Sequence, residues 1–201
     1  MTNLIECKNN WVIVDVLDDI SDINQLISEV DSQDYSEFTT AMNGSIQKFF
    51  YNPHPFWKPN HTLKTPESFS NIKSKYEKII SNYLKHYNKF LFESKNLELT
   101  TAWTVTGYKG SYHTPHDHGL NGISSVIYTK TLNHKSPIDN GPIYFILNSD
   151  EYDLLYSPYQ RMPRFVPEEK MILIFPSWTI HGTLPQGDGE RTTISFDLSW
   201  K

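Results

Sequence analysis

MILIFPSWTIHGTLPQGDGERTTISFDLSW, residues Met171 to Trp200, decides the fold class. Two apolar runs, Met171 to Phe175 and Thr192 to Trp200, are short, rich in β-branched and aromatic residues, and separated by a cluster of Pro, Gly and Asp, which is the signature of strands joined by a loop. The same rhythm extends upstream. Leu97 to Thr106, Ser124 to Thr131 and Pro142 to Asn148 are further short runs bounded by Gly, Pro, Asn and Asp. Several such strands at even spacing predict an antiparallel sandwich or barrel.

The first half reads differently. Trp11 to Val16 (WVIVDV) predicts a buried strand. Ser21 is a candidate N-cap, and Ile23, Leu26, Ile27 and Val30 then fall on one helical face. Ile46 to Tyr51 and Phe56-Trp57, set among Pro53, Pro55 and Pro59, read as an irregular connection. A second helix is expected to open at Thr65-Pro66, with Ile72, Tyr76, Ile79, Ile80, Tyr83, Leu84, Tyr87 and Leu91 along one stripe. Helices first and strands second favour a mainly β domain with flanking helices on one side of the β unit. Asp150 to Glu169 lacks a clean period and reads as a long loop, of the kind that serves as a lid or binding loop.

Composition narrows the function classes. With 201 residues the chain fits one domain, 1–201, in which 1–96 supports a β core at 97–201. A net charge of -5, with scattered Lys and Arg, gives no footprint for duplex phosphate, so nucleic acid is a poor partner. The single cysteine, Cys7, cannot form an internal disulfide and reads as an ordinary thiol in a reducing compartment. No basic leader with an apolar stretch and no run of about 20 apolar residues is present, so a cytoplasmic protein that does not enter a membrane is expected.

The candidate chemistry lies in SYHTPHDHG, Ser111 to Gly119. Residues two apart on a strand share a face, so His116 and His118 point one way and Asp117 the other. His181, after MILIFP and SWTI, can be brought alongside in an antiparallel sheet. Three imidazoles on one side of an ion leave the opposite positions open for substrate and oxygen. A bare His-x-His pair also occurs without any metal, but two features add weight. Arg191 opens the last strand with Thr193 and Ser195 on its alternate face, while Ile194, Phe196 and Leu198 face the other way toward the helices. The order along the chain is then His-x-His, a strand pair, a histidine and an arginine. His113 is expected at the mouth of the site or on the surface, because Pro115 interrupts the ladder between it and the pair.

WTVTGYKGSYHTPHDHG, Trp103 to Gly119, and IFPSWTIHGTLPQGDGERTTISF, Ile174 to Phe196, with a weaker echo in NGPIYF, Asn140 to Phe145, resemble the small bacterial and phage branch of the 2-oxoglutarate and iron(II)-dependent oxygenase superfamily. The resemblance covers about the last hundred residues. It implies a double-stranded β-helix, the cupin-like jelly roll, with the N-terminal helices packed on its major sheet. It also implies Fe(II), 2-oxoglutarate and O2 as cofactor and cosubstrates, His116 and His181 as the first and last metal ligands, and Arg191 with Thr193 on the distal carboxylate of 2-oxoglutarate. A planar guanidinium can grip that carboxylate with two charge-assisted bonds.

One departure matters. Most of the superfamily carries Asp or Glu two residues after the first histidine, where this chain has His118. Strand alternation favours His118 as the third ligand. The alternatives are that it stands behind the ligands or that Asp117 turns inward. Trp103 and Tyr128, on neighbouring strands, could line the cosubstrate pocket or simply pack in the core. Trp178 is expected beneath the turn that carries His181.

The reaction implied is oxidative decarboxylation of 2-oxoglutarate to succinate coupled to hydroxylation of a C–H bond. Halogenation would need an emptied ligand position, which His118 fills. The rivals are a cupin-like metalloenzyme that does not use 2-oxoglutarate, against which Arg191 speaks, and a non-catalytic β-sandwich binding module. The substrate, a small molecule or a peptidyl side chain, is not legible, and a homodimer is open. The implied home is the cytoplasm of a bacterium or of a phage-infected cell.

Overall fold

The computed structural model describes residues 3–7, 10–35, 39–51, 65–87, 97–119, 122–147 and 162–200. Phe56-Trp57, Leu91 and most of the expected loop from Asp150 to Glu169 lie outside them. In chain order the elements are β1 (Asn3–Cys7), β2 (Asn10–Val16), α1 (Ser21–Ser32), β3 (Thr39–Met42), β4 (Ser45–Tyr51), α2 (Phe69–His86), β5 (Leu97–Gly107), β6 (His113–His116), β7 (Ile123–Lys130), β8 (Ile143–Ile146), β9 (Arg164–Phe165), β10 (Met171–Pro176), β11 (Ile180–Thr183) and β12 (Arg191–Trp200).

The strands form two antiparallel sheets, a major one in the order β1-β2-β10-β7-β12-β5-β4-β3 and a minor one in the order β6-β11-β8-β9. This is the antiparallel sandwich that the strand rhythm anticipated, in the jelly-roll layering that the resemblance implied. Period-2 alternation explains how one sheet serves two cores. One face of the major sheet gives Ile13, Leu99, Ile127, Ile172, Ile194, Phe196 and Leu198 to a cluster with Ile23, Leu26 and Val30 of α1 and Ile72, Tyr76, Ile80 and Leu84 of α2. The other face gives Val12, Tyr128, Met171, Leu173 and Phe175 to a cluster with Ile143 and Phe145 of the minor sheet. Each such side chain, fully buried, contributes about 1.5–3 kcal/mol, so the helical stripe is held chiefly by the sheet it covers.

Several expectations need correction. Ile46 to Tyr51 is not an irregular connection but most of β4, paired along β5 from Ser45↔Gly107 to Phe49↔Trp103. The prolines that suggested irregularity all follow the strand. The N-terminal residues form an additional strand, β1, on the edge of β2, and Cys7 is its last residue. Ser21 is the first residue of α1 rather than its cap. Asp19 does the satisfying instead, accepting bonds from the Ser21 backbone N–H at 2.9 Å and the Ser21 hydroxyl at 2.8 Å.

The second helix starts at Phe69, three residues beyond Pro66. Its N-terminal end is served by Glu29 of α1, which accepts from the Glu67 N–H at 2.6 Å and the Ser68 hydroxyl at 2.5 Å. A local cap at Thr65 is therefore unnecessary, because the neighbouring helix supplies it. Arg164-Phe165, within the expected loop, is a short strand against β8. Pro115 lies inside β6 without ending it, which is tolerable because β6 is an edge strand of the minor sheet.

Candidate metal centre

The inner face of four adjacent strands floors one cavity of about 550 Å³. Alternation supplies its lining: Ser45, Gln47 and Phe49 from β4, Trp103 and Val105 from β5, Arg191, Thr193, Ser195 and Asp197 from β12, and Tyr128 from β7. The facing wall is built by His113, His116, His118 and His181. All seven residues read from the sequence as site candidates, Trp103, His116, His118, Tyr128, His181, Arg191 and Thr193, line this one space. Trp103 and Tyr128 are not on neighbouring strands, as the sequence suggested. They flank β12, opposite Ser195 and Thr193 respectively.

His116 and His181 are partners in the β6–β11 ladder, which sets their rings 4.5 Å apart. His118 lies just past the end of β6, its backbone N–H donating to the Ser177 carbonyl at 2.8 Å. Its ring centre is 5.3 Å from that of His116 and 5.1 Å from that of His181. One ring nitrogen from each of the three lies within 4.8 Å of the others, a spacing that small ring movements close onto one ion.

In each ring Nδ1 is already engaged: His116 with the Thr114 carbonyl at 2.8 Å, His181 with the Thr179 carbonyl at 2.9 Å, and His118 with Asp197 Oδ1 at 2.8 Å. An Nδ1–H that donates to oxygen fixes the tautomer and leaves the Nε2 lone pair free, the arrangement found behind most metal-binding histidines. The three residues thus fit a divalent ion on their own hydrogen-bonding chemistry. Asp117 does not turn inward: it is exposed and its carboxylate accepts the Gly119 N–H at 2.9 Å.

His113 lines the cavity without joining the cluster. Its Nε2 lies 3.2 Å from the Ser45 hydroxyl. Trp178, in the turn before β11, is half-buried. Trp103 stacks on Phe49 at 5.5 Å and lies 5.5 Å from the His118 ring, so it forms wall rather than general core.

Arg191 is 7% exposed. It donates through Nη1 to the Gly141 carbonyl and, at 3.4 Å, to the Asn140 carbonyl. Among the described residues no carboxylate pairs with it and its other donors have no acceptor. Burial holds its pKa below the ordinary value, with the buried Tyr128 hydroxyl acting in the opposite direction. Gly141 is required here: its φ is +63°, and a Cβ at this position would collide with Arg191 Nη1. A buried guanidinium without an anion is costly, so an anionic ligand in this cavity would offset the cost.

Burial also holds His181 well below the usual imidazole range, helped by His118 and His116, and lowers His116 against the opposing Thr114 carbonyl. His113 is pushed down to about 4, by burial first and then by His116 and Arg191. All three are therefore neutral at pH 7, which for His116 and His181 is the form that binds metal. In the unfolded chain they would titrate near about 6.5, so below that pH the unfolded state takes up protons first and stability falls. The urea midpoint of metal-free protein is expected to drop between about pH 7 and pH 5, while carboxylates remain ionised, and His113→Gln should flatten the decline. A midpoint independent of pH over that window would contradict these assignments.

Residues 101–197 match the family model described as "Putative 2OG-Fe(II) oxygenase". Over that stretch the chain is similar to the 2-oxoglutarate/iron(II) oxygenases. The matched segment runs from within β5 to Asp197 and so contains every member of the cluster and the arginine. No curated protein matches the chain in sequence.

Among solved structures, HygX from Streptomyces hygroscopicus with nickel and 2-oxoglutarate bound is similar at a TM-score of 0.61 and 12% identity, over 96% of this chain and 84% of that one. A Pseudomonas putida prolyl-4-hydroxylase is similar at 0.58 and 14%, over 94% and 91%. The viral collagen prolyl hydroxylase of Paramecium Bursaria Chlorella virus-1 is similar at 0.54 and 15%, over 92% and 94%. At such identities these likenesses speak for the fold.

Sequence reading missed several participants. Asp197 and Ser124 stand behind His118, and Ser45 and Gln47 of β4 enter the cavity wall. Asp197 carried a usable signal, since it continues the alternate face of Arg191, Thr193 and Ser195 in a strand whose other face is apolar.

Proposed function

We propose that the chain is a non-haem iron(II), 2-oxoglutarate-dependent dioxygenase that hydroxylates a C–H bond and releases succinate and CO2. The observation that carries this reading is a buried guanidinium without an acidic partner among the described residues, opening on the same cavity as three imidazoles whose Nε2 atoms are free. His116, His118 and His181 would hold the iron. Arg191, with the Thr193 hydroxyl beside it on the strand, would take the distal carboxylate of 2-oxoglutarate by charge-assisted bonds.

Held by His116, His118 and His181, iron would supply, with O2 and 2-oxoglutarate, an oxidation that leaves one oxygen atom in the substrate and the other in succinate. The chain's own part is placement. Tyr128, buried beside Arg191, offers a hydroxyl to the cosubstrate, while Trp103 and Phe49 form an aromatic wall that keeps water from one side. A cupin-like metalloenzyme without 2-oxoglutarate, or a binding module, would leave the Arg191 charge uncompensated. The single cysteine supports a reducing compartment, the cytoplasm, and the substrate is a small molecule or a peptidyl side chain.

Protein loaded with iron(II) and given 2-oxoglutarate in air should release succinate even without its substrate, at a slow rate that requires both iron and Arg191. Folded, iron-loaded protein that produces no succinate under these conditions would overturn the reading.

A further inference from the structure

Three neutral imidazoles leave a divalent ion with its full charge, whereas the usual set of two histidines and one carboxylate removes part of it. A carboxylate nevertheless stands one ring behind the metal site. Asp197 Oδ1 lies 2.8 Å from His118 Nδ1. His116 and His181 instead donate to neutral backbone carbonyls, so among the described residues His118 is the ring of the three backed by an anion. It is also the ring that occupies the position where the carboxylate is normally found.

The backbone and neighbours hold Asp197 in that place. The Ser124 hydroxyl donates to Asp197 Oδ1 at 2.7 Å and lies 3.1 Å from His118 Nδ1, with Ser177 Oγ 3.2 Å beyond it. The β12–β5 register shifts between Asp197 and Leu198, and the Thr100 hydroxyl donates to the Asp197 carbonyl at 3.0 Å. Such irregularities beside active sites commonly re-aim a side chain. Arg191 and Asp197, six residues apart on one face of one strand, thus place a cation at the anion-binding part of the cavity and an anion behind the metal-binding part.

We propose that Asp197 is a positioning and charge-compensating residue that acts through His118, so that the Asp197–His118 pair does the work of the carboxylate ligand this chain lacks. The inference rests on the iron reading above. A carboxylate accepting Nδ1–H orients the ring and makes Nε2 more basic, which strengthens the metal bond and favours the higher oxidation state of the ion.

Asp197→Asn, which keeps shape and removes charge, should weaken iron(II) binding about tenfold to a hundredfold, the usual cost of losing such a partner, and should raise the Fe(III)/Fe(II) midpoint potential. Asp197→Glu should recover part of both. In a His118→Asp background, where the carboxylate returns to the metal directly, Asp197→Asn should no longer cost affinity. If Asp197→Asn does not fold, judged by near-UV circular dichroism, Asp197→Ser removes the same charge in a smaller side chain.

Wild-type iron affinity and potential in a folded Asp197→Asn or Asp197→Ser protein would overturn the inference and leave the oxygenase reading standing. Equal losses in the wild-type and His118→Asp backgrounds would also overturn it, since Asp197 would then act elsewhere. Failure of the wild-type protein to bind iron(II) would remove both.

Discussion

Replacing His181 with Ala is expected to abolish iron(II) binding at micromolar metal and leave a folded protein. His181 is the most buried of the three imidazoles, at 5% exposure, and its Nδ1 is fixed by the Thr179 carbonyl, so no rearrangement is needed for Nε2 to bind. Loss of a ligand from a three-nitrogen site should exceed the tenfold to hundredfold cost of losing a partner behind a ligand, so a fall of more than about a hundredfold is expected. The fold should survive because the helix-facing core does not use this residue. Removing a ring packed 4.7 Å from Phe175 still leaves a cavity, and a loss of roughly 2–4 kcal/mol follows from large-to-small changes in cores. Iron titration followed by urea unfolding separates the two effects. Undiminished metal binding in folded His181→Ala protein would show that the cluster is not the metal site.

Arg191→Gln should weaken 2-oxoglutarate binding by about a hundredfold or more while metal content stays at the wild-type level. Glutamine can donate to the Gly141 carbonyl but brings no charge and no planar fork. The same change is expected to leave the ligand-free protein no less stable, because a buried charge without a partner is removed. The two readouts therefore move in opposite senses. In the wild type, 2-oxoglutarate at a hundred times its Kd should add about 2.7 kcal/mol to stability in the presence of metal, and in Arg191→Gln most of that gain should disappear. Loss of metal from this variant would mean that Arg191 has been given the wrong role.

The β half was legible because the same alternation that makes a strand also sorts its residues between core and cavity. RTTISFDLSW carried both: Ile194, Phe196 and Leu198 do face the helices, and Arg191, Thr193 and Ser195 do face the cavity. The convergence of His116 and His118 was likewise visible from their spacing. What escaped depended on partners distant in sequence. β4 looks irregular by itself, since its strand character comes from pairing with β5, far along the chain. The start of α2 was misplaced because its end is capped by Glu29 from another helix, and no local motif announces such a cap. Asp197 was missed because its significance lies in a bond to His118, 79 residues away. Pro115 was over-read, since a proline forbids a central strand but not an edge.

One ion and one dicarboxylate must meet between the histidine wall and the arginine-bearing sheet for any of this chemistry to run. Anaerobic protein loaded with iron(II) should develop a visible charge-transfer band when 2-oxoglutarate is added, saturating at one equivalent per chain, if the proposed metal and Arg191 sites take the same keto acid together. Iron-loaded, folded wild-type protein whose spectrum does not change at saturating 2-oxoglutarate would contradict that meeting.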